Sequence, residues 1–536
     1  MNEIRKDCNP KDTIKTIRRI LKENNIKIKE HKIRSIYKKF YSFRIELKGF
    51  YNIGSNGKGL TKELAKASAY AELMERIESR MLINTYFLNK ENTFKNYPDE
   101  IYDKEKNINN NKILKSFFDP DVNINDFLEN NKKYNFVSKY KNLITENTEY
   151  LPSKLINATS FSNGLCAGNN YYEAINQGIC EIFERYAYQK ILINELKLNT
   201  IKIDKELPIY KNIEYLKSKN FNIEIKDCSL GIYPVIGVYI TNLEKTKYIF
   251  TIGSDPNINI AIQRCLTEAF QGLNTIEELL LKMKPVENNY HTLSLYEKKL
   301  NWLKNYSSND GIHPKEIFLS TKEIFYKNLN VFSSLKTNFE IYKYLINIIS
   351  SGNLSIYIKD FSHLGFNTYK VFIPSLSNIE KISNNEKDII KNFDLLKEIY
   401  FNLNNYNNKD NLQKASNIIE NILDNNKYSF IKLGNYFHAN TYIKTNYNNI
   451  TFELLYLLIN YKLNNQVNLT LIKNTKLIDY IKSINVNDKY TYIINDLKLI
   501  LPNCPNCKNC KLKRKCKYKS WKKLNNTLKL KEQAFK

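Results

Sequence analysis

The chain comprises 536 residues, 42% of them hydrophobic, and carries a formal net charge of +27. Its length allows a full hydrophobic core and two or more domains, and its hydrophobic fraction is ordinary for a globular protein. Surplus Lys and Arg normally point to nucleic acid or anionic membrane, but Lys, Asn, Ile and Tyr are abundant along the whole chain, so we interpret the charge as a composition bias.

The chain shows no pattern of export or membrane insertion. Residues 1–25 alternate charges with short apolar pairs, which predicts an amphipathic helix and lacks the apolar core of a signal peptide. The most apolar run, residues 452–463, contains charged and polar residues and is too short to cross a bilayer. Nine cysteines, five scattered and four clustered, do not match a secreted disulfide scaffold. We expect a cytoplasmic protein without membrane contact.

Taken in chain order, the first 383 residues predict a mixed fold of strands and helices. Period-two alternation at 26–29 and 43–47 predicts half-buried strands, and a helix is expected after Gly57-Lys58-Gly59. Residues 89–150, rich in Asn, Lys and Asp, predict an irregular insertion. A second helix, strands near 233–240 and 247–252, a third helix, and strands near 355–359 and 369–373 complete an α/β (α+β) domain.

The remainder of the chain predicts two further regions. Residues 384–500 show helical spacing punctuated by Asn-rich turns, which predicts an all-helical, repeat-like region, although no strict repeat period is visible. Residues 501–536 form a short basic tail that carries the four clustered cysteines. We therefore expect domains at 1–383, 384–500 and 501–536.

One sequence motif occurs twice in the first domain. Ser-Asn-Gly at 55–57 and Ser-Asn-Gly at 162–164 are each predicted to form a glycine-bearing turn. The first leads through a helical stretch to Glu-x-x-Glu-Arg at 72–76, and the second leads likewise to 181–185. Carboxylates three residues apart share one face of a helix. Several such pairs directed at a common centre would repel one another unless cations lay between them, and Mg²⁺ is the hard cation that oxygen ligands favour. The repetition predicts one shared cation site.

The second acidic helix carries more polar residues on the same stripe. Glu173, Gln177, Glu181 and Glu184 follow steps of four, four and three residues, and apolar neighbours indicate that the helix is packed on much of its circumference. An Asn N-cap at position 170 is predicted, and a helix N-terminus preceded by glycine binds phosphate readily. With Arg264 and Glu268 on the third helix, the set suggests a phosphate clamp that is not a Walker site.

At these residues the chain resembles the YcaO family, whose members use ATP to activate peptide-backbone amides. The resemblance covers about residues 1–380, and its segments occur in the family's order. They are Ser55–Gly59, Ala69–Arg76, Ser162–Asn169, Glu181–Arg185, Asp227–Gly231, Arg264–Gly272 and His363–Gly365.

The resemblance implies ATP as cofactor, Mg²⁺ as metal and a set of site residues. Phosphates would be held by Arg185 and Arg264, and nucleotide contacts would come from Asn169, Lys6 and Thr13. The implied Mg²⁺ ligands or their close supports are Glu72, Glu75, Glu173, Glu181, Glu184 and Glu268. No side-chain nucleophile is required, because phosphorylation of the amide oxygen makes the amide carbon open to attack by an external nucleophile.

Within the family, the chain end distinguishes subgroups. Ring-forming members end in a proline-rich tail, whereas this chain ends Lys-Glu-Gln-Ala-Phe-Lys at 531–536. The chain is more similar to free-standing members with a C-terminal helical region, which are linked to β-methylthiolation of ribosomal protein S12 as accessories to a radical methylthiotransferase. That resemblance implies a peptide or ribosomal protein substrate, a sulfur-transfer partner and a homodimer.

Two alternatives stay open at this point. One is a cyclodehydratase or thioamidating enzyme of ribosomally made peptide natural products. The other is a non-catalytic assembly factor that binds ribosomal components.

The four clustered cysteines, Cys504, Cys507, Cys510 and Cys516, lie in a run without acidic residues. Four thiols at this spacing indicate a metal site, either structural Zn²⁺ or an iron–sulfur cluster, and unligated cysteines are the alternative. The surrounding positive charge would stabilise thiolates and could dock the tail on RNA or on an acidic protein.

Overall fold

The computed structural model describes residues 6–51, 53–81, 97–103, 111–319, 322–424, 431–437, 443–504 and 507–535. The helices are α1 Pro10–Glu23, α2 Lys62–Glu78, α3 Asn111–Ser116, α4 Ile124–Asn130, α5 Ser153–Ser160, α6 Tyr171–Ile193, α7 Tyr210–Lys217, α8 Ile258–Ala269, α9 Ile276–Lys282, α10 Leu295–Ser308, α11 Asn338–Ser351, α12 Asn384–Asn402, α13 Lys409–Asp424, α14 Leu433–Tyr436, α15 Phe452–Leu463, α16 Thr475–Ser483, α17 Lys489–Asp496 and α18 Tyr518–Phe535.

The strands form three sheets. They are β1 Ile28–Glu30, β2 Arg34–Ile36, β3 Phe40–Leu47, β4 Gly54–Gly59, β5 Ile101–Tyr102, β6 Phe136–Asn142, β7 Thr148–Leu151, β8 Leu165–Gly168, β9 Thr200–Lys202, β10 Phe221–Asp227, β11 Val235–Asn242, β12 Lys247–Ser254, β13 Lys284–Pro285, β14 Glu323–Phe325, β15 Tyr357–Asp360 and β16 Asn367–Phe372. This confirms the expected mixed α/β architecture with a helical C-terminal region.

The first sheet carries one of the two acidic helices. β3 pairs antiparallel with β1, β2 and β4, and α2 packs on β3 and β4. A core of α1, α2 and β3 residues lies beneath this sheet. The sheet therefore fixes α2 beside β4.

The other two sheets enclose the second acidic helix. One runs in the order β13-β12-β11-β10-β9-β14 and the other β5-β6-β15-β16-β8, with β7 paired to β6. The helix α6 contacts β12 of the former and β8 and β16 of the latter, and a single apolar cluster joins all three. The helix α8 packs against β11 and β12. The stretch of α6 that carries its carboxylates thus lies at the centre of the domain.

Two local expectations were wrong. Residues 89–150 do not form an irregular insertion throughout, because within the described part they build α3, α4, β6 and β7, held by buried aromatic residues such as Phe117 and Phe127. The first Ser-Asn-Gly lies on strand β4 and not in a turn, whereas the second precedes β8 in a turn. In both places the polar composition concealed the buried side chains that set the structure.

The C-terminal helices have a core of their own. A cluster of buried residues from α12, α13, α15 and the segments that follow contains no residue before α12. The last helix, α18, leaves this cluster, and its Trp521 and Leu528 join the core beneath the first sheet. The proposed domain boundaries stay a prediction. Within the described residues, no helix combines the length and the apolar character that a bilayer span requires.

Candidate functional site

A cavity of about 490 Å³ lies between β4, α2, α6 and α8, with the start of α1 at one side. Every residue that the sequence implied for nucleotide or Mg²⁺ lines it, and these residues are Lys6, Thr13, Glu72, Glu75, Asn169, Glu173, Glu181, Glu184, Arg185, Arg264 and Glu268. The fold thus brings together side chains from four helices separated by more than two hundred residues of sequence.

Glu173 is the centre of a network that ties the N-terminus to α6. Its carboxylate accepts from Lys6 Nζ at 2.9 Å, from the Asp7 backbone N–H at 3.2 Å and from Asn169 Nδ2 at 3.0 Å. Thr13 Oγ1 in turn donates to Asn169 Oδ1 at 2.7 Å. Burial alone would raise the pKa of Glu173, but the Lys6 ammonium and these hydrogen bonds lower it below the ordinary value. Glu173 is held ionised.

The predicted N-cap of α6 is present. The Asn170 side chain accepts from the Glu173 backbone N–H at 2.9 Å. Glu173 therefore sits in the first turn of α6, where a negative charge is favoured by the helix dipole.

Glu75 on α2 and Glu181 on α6 are close enough to interact, and burial disfavours the charged form of both carboxyl groups. Arg76 Nε lies 3.5 Å from Glu75 Oε1. Burial nevertheless raises the pKa of Glu75 well above its ordinary value, and burial raises the pKa of Glu181 as well. A carboxylate whose charged form is disfavoured in this way gains most from a bound cation. A cation bound beside this pair would therefore stabilise its charged form.

Arg185 and Arg264 flank Glu184. Their Nη2 atoms lie 3.9 Å and 3.6 Å from the two Glu184 carboxylate oxygens. The Nε atoms of both arginines are buried and have no hydrogen-bond partner among the described residues. A buried guanidinium N–H without an acceptor is costly, and a phosphate oxygen is the acceptor that its geometry suits. The arginines therefore fit a phosphate group in the cavity.

Two cations in the cavity wall were missed as site residues by the sequence reasoning. Lys58 on β4 forms an ion pair with Glu268 on α8, and burial, together with Arg264, lowers the pKa of Lys58 to about 8. Arg76 pairs with Glu72 at 3.6 Å as well as with Glu75. A compositional signal for Arg76 existed, because only ten of the 82 basic residues are arginine and three of those ten line this cavity.

The glycine of each repeated Ser-Asn-Gly has a packing role. A Cβ on Gly57 would lie 2.0 Å from the Ala65 carbonyl oxygen, so glycine lets β4 approach α2. Gly164 has a φ of +80° and lies against the Val371 carbonyl. Packing therefore accounts for the glycine in both copies of the motif, and neither glycine needs to contact a ligand.

Polar groups behind the cavity hold these elements in place. The Lys370 Nζ donates to the carbonyls of Phe161 and Asn163 at 2.9 Å and 2.8 Å, and burial lowers the pKa of Lys370 to about 7. Glu78, at the end of α2, accepts from the Leu364 backbone N–H at 2.9 Å. The His363–Gly365 segment thus supports α2 from outside the cavity.

The four tail cysteines do not form the predicted metal centre in the described residues. Cys504, Cys510 and Cys516 pack against the C-terminal helical core, and Cys507 is exposed. No three or more His, Cys, Asp or Glu side chains in the described part of the chain are grouped closely enough to hold a metal ion. The prediction of Zn²⁺ or an iron–sulfur cluster therefore gains no support. The cavity glutamates likewise line one cavity without three of them being grouped closely enough to hold a metal ion.

Comparison with known proteins gives the family. The model of the YcaO cyclodehydratases, described as ATP- and Mg²⁺-binding, matches residues 56–377. An uncharacterized protein of Haemophilus influenzae is 28% identical over 344 residues, which are 61% of this chain and 57% of that protein. The ribosomal protein S12 methylthiotransferase accessory factor YcaO of Escherichia coli is 26% identical over 394 residues, which are 70% of this chain and 66% of that protein. The chain therefore spans less than two thirds of either relative.

Two solved structures are among those to which this chain is similar. A heterocyclase in complex with substrate and cofactor is 17% identical with a TM-score of 0.49, covering 70% of this chain and 53% of that one. YcaO from Methanopyrus kandleri, bound with AMPPCP and Mg²⁺, is 16% identical with a TM-score of 0.47, covering 68% of this chain and 91% of that one.

Proposed function

Because the chain belongs to the YcaO family of ATP-using, peptide-modifying proteins, we propose that its cavity binds Mg-ATP and that it activates a peptide-backbone amide by O-phosphorylation. The observation that carries the proposal is the meeting of carboxylates from α2, α6 and α8 with two arginines whose buried Nε atoms lack acceptors. Carboxylate oxygens suit Mg²⁺, and guanidinium groups suit phosphate.

Each side chain in the cavity has a role in this proposal. Arg185 and Arg264 bind phosphate oxygens through the N–H groups that lack acceptors. The glutamates of α2 and α6 would hold or support Mg²⁺, which when bound would supply positive charge to offset the negative charge of the phosphates. Glu268 forms an ion pair with Lys58. For Glu268 to bind Mg²⁺, this ion pair must break; alternatively, Lys58 approaches the phosphates. Asn169 and Thr13 position the N-terminal segment against the nucleotide.

The reaction requires no nucleophile from the protein. An amide oxygen is a weak nucleophile and an amide carbon a weak electrophile, and transfer of a phosphoryl group to the oxygen makes phosphate the leaving group. The cavity residues act by binding and orienting the reactants, which is the main source of catalysis in phosphoryl transfer.

For the biological role, we propose an accessory function in β-methylthiolation of ribosomal protein S12. Support comes from the similarity to the Escherichia coli accessory factor. The partners would be S12 itself and a radical methylthiotransferase or another sulfur-transfer enzyme, and the active form would be a homodimer. A cyclodehydratase or thioamidating enzyme is the second candidate, favoured by the description of the matching family model as cyclodehydratases.

Titration of Mg-ATP into the full chain tests the nucleotide site. Glu184→Gln and Arg264→Met each remove a charge from the proposed clamp and should weaken binding about 10- to 100-fold, the value of one or two charge-assisted hydrogen bonds. Glu214→Gln on α7, which changes an exposed carboxylate outside the cavity, is the matched control and should bind normally. Unchanged affinity in both cavity variants would overturn the assignment.

Mass spectrometry of ribosomal proteins tests the biological role. A strain without this gene should contain S12 that lacks the methylthio group, and Glu184→Gln should fail to restore it. Restoration by Glu184→Gln would favour a non-catalytic binding factor instead. A normal S12 in the deletion strain would point to another peptide substrate.

A further inference from the structure

Within the basic tail (501–536), residues 507–531 concentrate positive charge far above the level of the rest of the chain. This stretch contains eleven Lys and Arg residues and no Asp or Glu. More than a third of the net charge of +27 thus lies in less than a twentieth of the chain. A uniform composition bias does not account for this concentration, so that interpretation fails for the tail.

The charges of the basic tail face solvent. Nine of its basic side chains are exposed, and these are Lys508, Lys511, Lys513, Arg514, Lys515, Lys519, Lys522, Lys523 and Lys531. None of the nine forms an ion pair with a carboxylate of the described residues. Like charges at this density repel one another, and an external polyanion would relieve the repulsion.

The basic tail is fixed to the rest of the protein by the opposite face of α18. Trp521 and Leu528 are buried in the core that contains α1 and α2. Glu532, the acidic residue of α18, is buried and pairs with Arg80 at 2.8 Å. The part of α18 that carries Trp521 and Leu528 is therefore occupied, and the lysines at 519, 522 and 523 are left on the exposed face.

We propose that the basic tail binds the phosphodiester backbone of a nucleic acid. A bilayer is a poorer fit, because interfacial helices insert apolar side chains and Trp521 and Leu528 of α18 are already packed in the protein core. A protein partner is also a poorer fit, since protein interfaces are depleted of Lys and centred on apolar contacts. A phosphodiester backbone supplies dense negative charge, and its binding requires neither an inserted apolar face nor apolar contacts at the interface. This surface is independent of the proposed nucleotide site.

Fluorescence anisotropy with a labelled uridine oligonucleotide and a deoxythymidine oligonucleotide of equal length tests the proposal on the full chain. The tail variant replaces Lys519, Lys522, Lys523 and Lys531 with Gln, which keeps helix propensity. The control variant makes the same change at four exposed lysines elsewhere, Lys205, Lys211, Lys219 and Lys245. Both variants lose the same net charge.

The tail variant should bind at least about tenfold more weakly, and its salt slope should fall by about three, as expected for four lost phosphate contacts on a single strand. The control variant should stay within about twofold of the parent. The ratio of the affinities for the uridine and deoxythymidine oligonucleotides shows whether the basic tail prefers RNA or DNA. An equal loss of oligonucleotide affinity in both variants would overturn the proposal, because net charge alone would then explain binding. Binding to anionic vesicles or polyglutamate without binding to either oligonucleotide would also overturn it. Unchanged Mg-ATP affinity in the tail variant separates this result from the nucleotide site.

Discussion

Lys6 and Glu173 form an ion pair of 2.9 Å although 167 positions separate them in the chain. The contact closes one end of the cavity, because Glu173 also binds Asn169 and Asn169 accepts from Thr13. The N-terminal segment is therefore part of the cavity wall, and the ionised Glu173 carboxylate joins it to α6.

Replacing Glu173 with Gln should lower the free energy of unfolding by about 1–3 kcal/mol, the value of hydrogen bonds to a charged group. Lys6→Met should cost less, up to about 1 kcal/mol, because the Lys6 side chain is 40% exposed. Urea denaturation measures both. Lys11→Met, at an exposed position of α1, serves as the control and should be neutral. Equal stability of all three variants and the parent would contradict the role of the pair.

Gly57→Ala should destabilise the protein and weaken nucleotide binding, because its Cβ would lie 2.0 Å from the Ala65 carbonyl oxygen and force β4 away from α2. We expect a loss of about 1–3 kcal/mol or more. Gly352→Ala is the matched control, since the nearest atoms there stand at 3.5 Å. Thermal unfolding of the two variants should differ by several degrees. Identical midpoints would show that β4 and α2 separate without cost.

We expect the free energy of unfolding to depend on pH through Glu78. Burial raises its pKa to about 8 from the ordinary value of 4.5. A carboxyl with a raised pKa in the folded state binds more protons there than in the unfolded chain, so its contribution is fully present below about pH 4.5 and is lost as pH rises through about 8. Glu78→Gln should flatten the fall in stability between these values.

Urea unfolding measured at several pH values between these limits checks this prediction. Glu63→Gln in the first turn of the same helix should keep the pH dependence of the parent. A parallel pH profile for Glu78→Gln and the parent would exclude Glu78 as its source.

The Arg80–Glu532 pair predicts that the end of the chain stabilises the α2 region. Both side chains are buried, with exposures of 1% and 3%. Removing one partner leaves a buried charge without compensation, so Glu532→Ala should cost about 3–5 kcal/mol. Lys531→Ala, at the exposed neighbouring position, should cost less than about 0.5 kcal/mol. Chemical denaturation compares them, and similar losses in the two variants would refute an energetic role for the pair.

Much of the cavity could be predicted from short-range patterns. The spacing of Glu72 and Glu75, and of Glu181 and Glu184, places each pair on one helix face whatever the rest of the chain does. The strands near 43–47 and 233–240 were likewise visible from their alternation and apolar runs. Residues 89–150 were predicted less well, because their Asn and Lys content concealed buried aromatic residues such as Phe117, which follows α3, and Phe127 on α4.

By itself, the sequence determined the family, the acidic helix faces and the cap at Asn170, because these depend on residues a few positions apart. Only the tertiary structure decided which distant groups meet. The pairing of Lys58 with Glu268, of Lys6 with Glu173 and of Arg80 with Glu532 joins elements 167 to 452 positions apart. No local period encodes such contacts, since they follow from how sheets and helices bury their apolar faces against one another.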